Sequence, residues 1–168
     1  MKGCITEATA QSCEIAEAVT NSIECCRKCG GKSRPVSRKT VLLMLKPHLL
    51  EEALSGTYGF CLARDCPVVY FDEHDARIFT SDDLREIVGV KASTHPIPLC
   101  YCFGFDESHL REEISRTGST TVPARISGLI AEGLCACEAR NPSGVCCLGE
   151  ANRIAKRLTQ EISASEQL

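Results

Sequence analysis

The chain has 168 residues, a formal charge of -3, 5% aromatic residues, no tryptophan and 13 cysteines. That length suits one domain or two small ones, the slightly negative charge gives no basic field to gather nucleic acid by counterion release, and the scarce aromatics leave metal ligation to contribute folding free energy. There is no run of about 18 apolar residues to span a bilayer, and the N-terminal stretch has Glu7, Glu14 and Glu17 where a signal peptide has an apolar core. The expectation is a soluble, cytoplasmic protein with no membrane insertion and no nucleic-acid partner.

Residues 1–23 alternate small, polar and acidic types and read as a loosely ordered leader without assigned function. Residues 30–35, rich in glycine and ending in proline, read as a turn. A helix is expected over 37–50, with Val41, Leu42, Leu45 and Leu49 near helical spacing and Pro47 shortening or splitting it. Residues 59–61 and 67–71 read as two strands around a cysteine turn, because β-branched and aromatic residues suit a pleated, half-buried surface. Asp82 and Asp83 suggest the cap of a short helix over 82–88 that Gly89 ends. Two prolines in 93–98 mark a linker, with a boundary near residue 95. Helices are then expected over 106–114, stopping at Gly118, over 122–132 and over 148–162. The fold class is α+β: a small β subdomain over 24–95 and a mainly helical subdomain over 96–168.

The cysteines cluster as Cys25-Cys26-x-x-Cys29, Cys61-x4-Cys66, Cys100-x-Cys102, Cys135-x-Cys137 and Cys146-Cys147, with Cys4 and Cys13 alone. An odd count and a cytoplasmic setting argue for metal over a disulfide framework. Cys26, Cys29, Cys61 and Cys66 present two thiolate pairs on two turns, the way a zinc ribbon surrounds a tetrahedral ion, with Cys25 an alternative to Cys26. Gly30 permits the close turn, and Arg27 and Lys28 would offset the thiolate charge. The downstream thiols can enclose an iron-sulfur cluster, although spacing alone does not separate iron from zinc. The turn at 141–144 folds the chain back, and Cys147 opens the last helix, whose N-terminus favours negative charge. Adjacent Cys146 and Cys147 cannot both face one cluster without a bend, so one of each close pair is a bystander.

The segments Leu99-Cys100-Tyr101-Cys102-Phe103-Gly104 and Cys135-x-Cys137-Glu138-x-x-Asn141-Pro142-x-Gly144-x-Cys146-Cys147-Leu148-Gly149, together with Cys26-x-x-Cys29-Gly30 and Cys61-x4-Cys66-Pro67-Val68-Val69-Tyr70-Phe71, carry a family resemblance. Over about 24–158 the chain resembles the N-terminal metal-binding domain of CopZ-type copper chaperones, and more distantly bacterioferritin-associated ferredoxin domains. The resemblance implies a mononuclear zinc on Cys26, Cys29, Cys61 and Cys66, and a 2Fe-2S cluster on Cys100, Cys102, Cys137 and Cys147. The chain departs from the full-length chaperones in having no ferredoxin-like domain with a Met-x-Cys-x-x-Cys copper loop, so delivery by that loop is not expected.

His48, His74, His95 and His109 are isolated and read as exposed or cap-proximal, and Asp72, Glu73 and Asp75 as a solvated turn. No nucleophile and base, phosphate loop or carboxylate pair stands out, so an enzyme is not expected. The leading expectation is an iron-sulfur protein with a structural zinc, moving single electrons in copper or other soft-metal trafficking with a metal carrier or redox partner. The rivals are a structural or regulatory zinc module, and a storage or sensing protein that takes copper or mercury ions on its spare cysteines, Cys4 and Cys13 included.

Overall fold

The computed structural model describes residues 22–165, so the leader with Cys4 and Cys13 lies outside the described residues. Four antiparallel strands, β1 (Ser33–Val36), β2 (Tyr58–Cys61), β3 (Val68–Asp72) and β4 (Ile78–Thr80), pair in chain order as a meander. The central strands β2 and β3 bury every residue because both faces of the sheet are covered. Tyr58, Phe60 and Tyr70 join Val41, Met44 and Leu45 in one core, whereas Cys61, Val68 and Phe71 pack with Cys26 and Cys66 in another. The two-residue alternation of β2 thus sends Tyr58 and Phe60 one way and Cys61 the other.

Gly59 pairs with Phe71 across β2 and β3. A methyl group built on Gly59 would lie 2.3 Å from the Phe71 ring, so the ring occupies the space a side chain would need. Gly59→Ala should therefore displace Phe71 from the cysteine-lined core and cost about 1–3 kcal/mol by overpacking, measurable as a lower midpoint in denaturant with an unchanged slope.

The helix expected over 37–50 is split at Pro47. The segment α1 (Arg38–Met44) starts where the Ser37 hydroxyl accepts the Thr40 N–H at 3.1 Å, and Leu45 is already extended. Pro47 then opens a separate 3-10 helix, Pro47–Ala53, since its ring fits a first helical position and no interior one. The expected turn at 30–35 closes at Gly30, whose φ of 67° suits glycine, and β1 begins at Ser33. Pro35 is tolerated because β1 is an edge strand.

The helix expected over 82–88 does not form. A 3-10 turn, Ser81–Asp83, is held by the Asp83 carboxylate, which accepts from the Thr80 N–H at 2.6 Å and the Thr80 hydroxyl at 2.8 Å. The chain then extends alongside residues 44–46: Lys46 donates to the Asp83 carbonyl at 2.9 Å, and Arg85 to that of Met44 at 2.8 Å. Tertiary backbone pairing overrides a weak helical propensity here.

The second half opens with a hairpin of β5 (Pro98–Cys100) and β6 (Phe105–Asp106). It continues as α2 (Glu107–Thr117), α3 (Val122–Ala131), α4 (Cys137–Arg140) and α5 (Leu148–Ser165). Asp106 caps α2 by accepting from the Ser108 and His109 N–H groups, and Gly118 ends it. The Glu113 carboxylate closes the α2–α3 loop, accepting from Thr121 N–H at 2.7 Å and Thr120 Oγ1 at 2.8 Å. Leu110, Ile114, Val122, Ile126, Ile154 and Leu158 form the helical core, which also takes in Cys100, Cys137 and Cys147.

The halves meet through buried polar contacts. The Thr40 hydroxyl donates to the Glu138 carbonyl, and the Tyr70 hydroxyl donates to the Pro142 carbonyl at 2.8 Å. Burial raises the Tyr70 phenol above the ordinary tyrosine range, so it remains a protonated donor. Tyr70→Phe would leave a buried carbonyl without its partner, at a cost of about 1–3 kcal/mol. The expected result is a lower melting temperature together with faster amide exchange in the 141–144 turn.

Candidate metal centre

The first thiol cluster is assembled from two loops. Cys26 donates its N–H to the Gly31 carbonyl at 2.8 Å and accepts from the Gly30 N–H at 2.7 Å, which folds residues 26–31 into a tight knuckle. Cys61 ends β2, and Cys66 precedes β3, with its N–H on the Ala63 carbonyl at 3.4 Å. The four sulfurs all lie within 4.8 Å of one another, and those of Cys29 and Cys61 are 3.8 Å apart. Sulfurs about 2.3 Å from a tetrahedral zinc stand about 3.8 Å from each other, so the donor set fits that ion in number, type and spacing. Cys26, Cys61 and Cys66 are buried and Cys29 is exposed. Cys25 is disulfide-bonded and lies outside the group that gathers Cys26.

Burial pushes the Cys61 thiol up to about 12 and also raises Cys66. Burial acts on Cys29 too, but the Gly31 N–H and the neighbouring thiols carry it below the ordinary value. A metal ion must displace the protons of the raised pair. Lys91, which the sequence reading did not single out, donates to the Ala63 carbonyl and places positive charge where it favours the Cys61 thiolate. Arg27 was expected to supply that charge. Its guanidinium instead holds the Glu73 and Asp75 carbonyls of the β3–β4 turn.

The second set adopts a different arrangement. Cys102 and Cys137 approach to 3.8 Å, and the Cys100 and Cys147 thiols are near enough to shift each other's titration, Cys100 downward and Cys147 upward. Among the described residues only the first set gathers three or more donors within 4.8 Å of one another; in the second, Cys102 and Cys137 make the direct sulfur contact. Cys100, Cys137 and Cys147 are buried, Cys102 and Cys135 half-buried, and Cys146 exposed.

Backbone N–H groups converge on these sulfurs. The Cys147 thiol hydrogen bond pulls Cys100 down to about 6 against the effect of burial, with the Phe103 and Cys102 N–H groups assisting. Burial pushes Cys137 up to about 12, although the Cys147 N–H opposes it. The Ala136 N–H points at the Cys102 sulfur at 3.4 Å. The Asn141 side chain shapes the intervening turn, accepting from the Ser143 N–H at 3.0 Å and donating to the Val145 carbonyl at 2.7 Å. Cys147 accepts the Ala151 N–H at 2.9 Å as α5 begins.

The remaining candidates are separate from both clusters. His48, His74, His95 and His109 are exposed, and His109 pairs with Asp106 at 2.9 Å. Asp72, expected to be solvated, is 3% exposed and accepts the His74 N–H at 2.8 Å. Asp75 pairs with Arg77 at 2.8 Å.

Known proteins share this plan. Residues 23–85 match the zinc-binding domain family of CopZ proteins. The chain is 31% identical over 143 residues to the copper chaperone CopZ of Archaeoglobus fulgidus, spanning 85% of this chain and 67% of that protein. It also superimposes on the crystal structure of the N-terminal domain of that CopZ with a TM-score of 0.65 at 31% identity, covering 77% of this chain and 96% of the other. An antiparallel meander with a four-cysteine knuckle site, followed by helices, defines a zinc-binding α+β protein. The chain belongs to the CopZ family.

Proposed function

We propose that the protein is a non-enzymatic, cytoplasmic iron-sulfur protein that moves single electrons in the trafficking of copper or another soft metal, with a structural zinc as scaffold. Cys26, Cys29, Cys61 and Cys66 hold the zinc. Cys100, Cys102, Cys137 and Cys147 hold a 2Fe-2S cluster, which when bound supplies one reversible electron. One observation supports the second assignment: Cys102 and Cys137 lie 3.8 Å apart with Cys100 and Cys147 coupled to each other beside them, a wider spread of four sulfurs than in the first set, as a centre of two metals requires. A lone zinc requires four mutually close sulfurs.

The chain prepares these sulfurs for negative charge. N–H groups of Cys102 and Phe103 face Cys100, that of Cys147 faces Cys137, and that of Ala136 faces Cys102. The start of α5 adds the positive end of its dipole at Cys147. The link to copper rests on the name of the Archaeoglobus relative, and the partner is a metal carrier or a redox protein.

Metal and sulfide analysis after anaerobic purification tests the proposal. About one zinc, two irons and two acid-labile sulfides per chain are expected, in a red-brown protein. Two zincs and no labile sulfide in colourless protein would overturn it and leave a zinc module.

A further inference from the structure

A cavity of about 560 Å3 lies where the two halves meet. This is the size of many small-molecule pockets. Its apolar wall includes Phe60, Leu62 and Val88 from the first half and Leu99 from the second. Its charged lining is one-sided: five arginines face two glutamates, in a chain whose overall formal charge is -3.

Both glutamates are already engaged. Glu107, its side chain 5% exposed, is shared by Arg111 at 3.2 Å and Arg157 at 3.0 Å, and Arg157 also lies 3.8 Å from Glu161. Glu150 is held by Arg153. Arg34, on β1, and Arg64, in the β2–β3 connection, also line the cavity, and neither has an ion pair or side-chain hydrogen bond among the described residues. Two unpaired guanidiniums beside an apolar wall, with other arginines opposite, leave positive charge that no residue of the lining neutralises. Guanidinium groups bind carboxylate and phosphate by paired N–H donors.

We propose that this cavity binds a small organic anion with at least two acidic groups, carboxylate or phosphate, on an apolar frame. Arg34 and Arg64 take one acidic group from the side of the sheet. The helical side, where Arg111 and Arg157 share the one buried carboxylate of Glu107, takes the other. The apolar wall of Phe60 and Val88 selects an organic frame over inorganic phosphate. The occupant spans the junction of the halves and lies against Cys146 and Cys147, which also line the cavity. The site depends on the arginines and the cavity, whichever metal the second thiol set holds.

Isothermal titration of the metal-loaded full chain with adipate and phthalate tests this, with inorganic phosphate and a poly-glutamate peptide as comparisons. Saturable binding of a dicarboxylate is expected at low salt. It should weaken at least tenfold in the Arg34→Ala/Arg64→Ala double variant and fall as salt rises. Lysine at both positions should restore part of the affinity. A saturating dicarboxylate should slow alkylation of the exposed Cys146 thiol several-fold. The double variant should melt with the parent, because neither arginine has an internal partner. Three results would each overturn the proposal: no saturable dicarboxylate binding, equal binding by the double-alanine variant, or binding of the poly-glutamate peptide alone, which would make the surface a dock for an acidic protein.

Discussion

Cys61→Ser should release the zinc and unfold the sheet while the visible spectrum of the proposed iron-sulfur cluster fades only partly. Cys61 is fully buried between Cys26, Cys66, Val68 and Phe71, so a serine there loses a zinc ligand and leaves a hydroxyl in an apolar wall. Structural zinc in small zinc-finger peptides contributes about 10–16 kcal/mol of apparent binding free energy near neutral pH, as much as the whole net stability of a typical domain, about 5–15 kcal/mol. The core beside the zinc site draws only on residues of the first half, whereas the second thiol set sits in the helical core. The fading would arise indirectly, through Tyr70 and its hold on the Pro142 carbonyl. The measurements are zinc content and near-ultraviolet dichroism of the tyrosines, two of which, Tyr58 and Tyr70, lie in the first half. Retention of stoichiometric zinc by folded Cys61→Ser protein would show that Cys61 is no ligand.

The features legible in the sequence were those set by short spacing. Cys26-x-x-Cys29-Gly30 specifies a knuckle by itself, Ser37 and Pro47 bound α1 by local chemistry, and Asp106 and Gly118 do the same for α2. What escaped depends on partners far along the chain. The strands β1 and β4 are short edges of four and three residues, one containing Pro35, and they exist because β2 and β3 offer hydrogen bonds to them. The segment after Asp83 was misread because its backbone groups pair with residues 44–46, which no local propensity encodes. Four-residue α4 is too short to show a helical period. Within the site, Lys91 stands 30 positions beyond Cys61 and Arg27 reaches a turn 46 and 48 residues away, so charge compensation could not be assigned from adjacency. The gathering of the second thiol set likewise follows from the hairpin, α4 and the start of α5 meeting in space.

Replacing Cys137 or Cys147 by serine should abolish or strongly shift the visible spectrum, while Cys135→Ser or Cys146→Ser should leave it nearly intact. The members of each close pair differ in placement. Cys137 and Cys147 are buried, 6% and 4% exposed, and belong to the helical core, whereas Cys146 is exposed and Cys135 only half-buried. Cys137 faces Cys102 at 3.8 Å, and Cys147, at the start of α5, is the neighbour that lowers the Cys100 thiol. One residue along the chain turns a side chain to a different side, which places Cys146 off the shared centre, while Cys135 lies outside α4 and is less buried than Cys137. Zinc content should stay near one in all four variants, since none of these residues touches the first cluster; this separates loss of the cluster from loss of the fold. An intact spectrum in Cys147→Ser with bleaching in Cys146→Ser, both prepared anaerobically, would exchange the assignments and would require the start of α5 to turn its other cysteine inward.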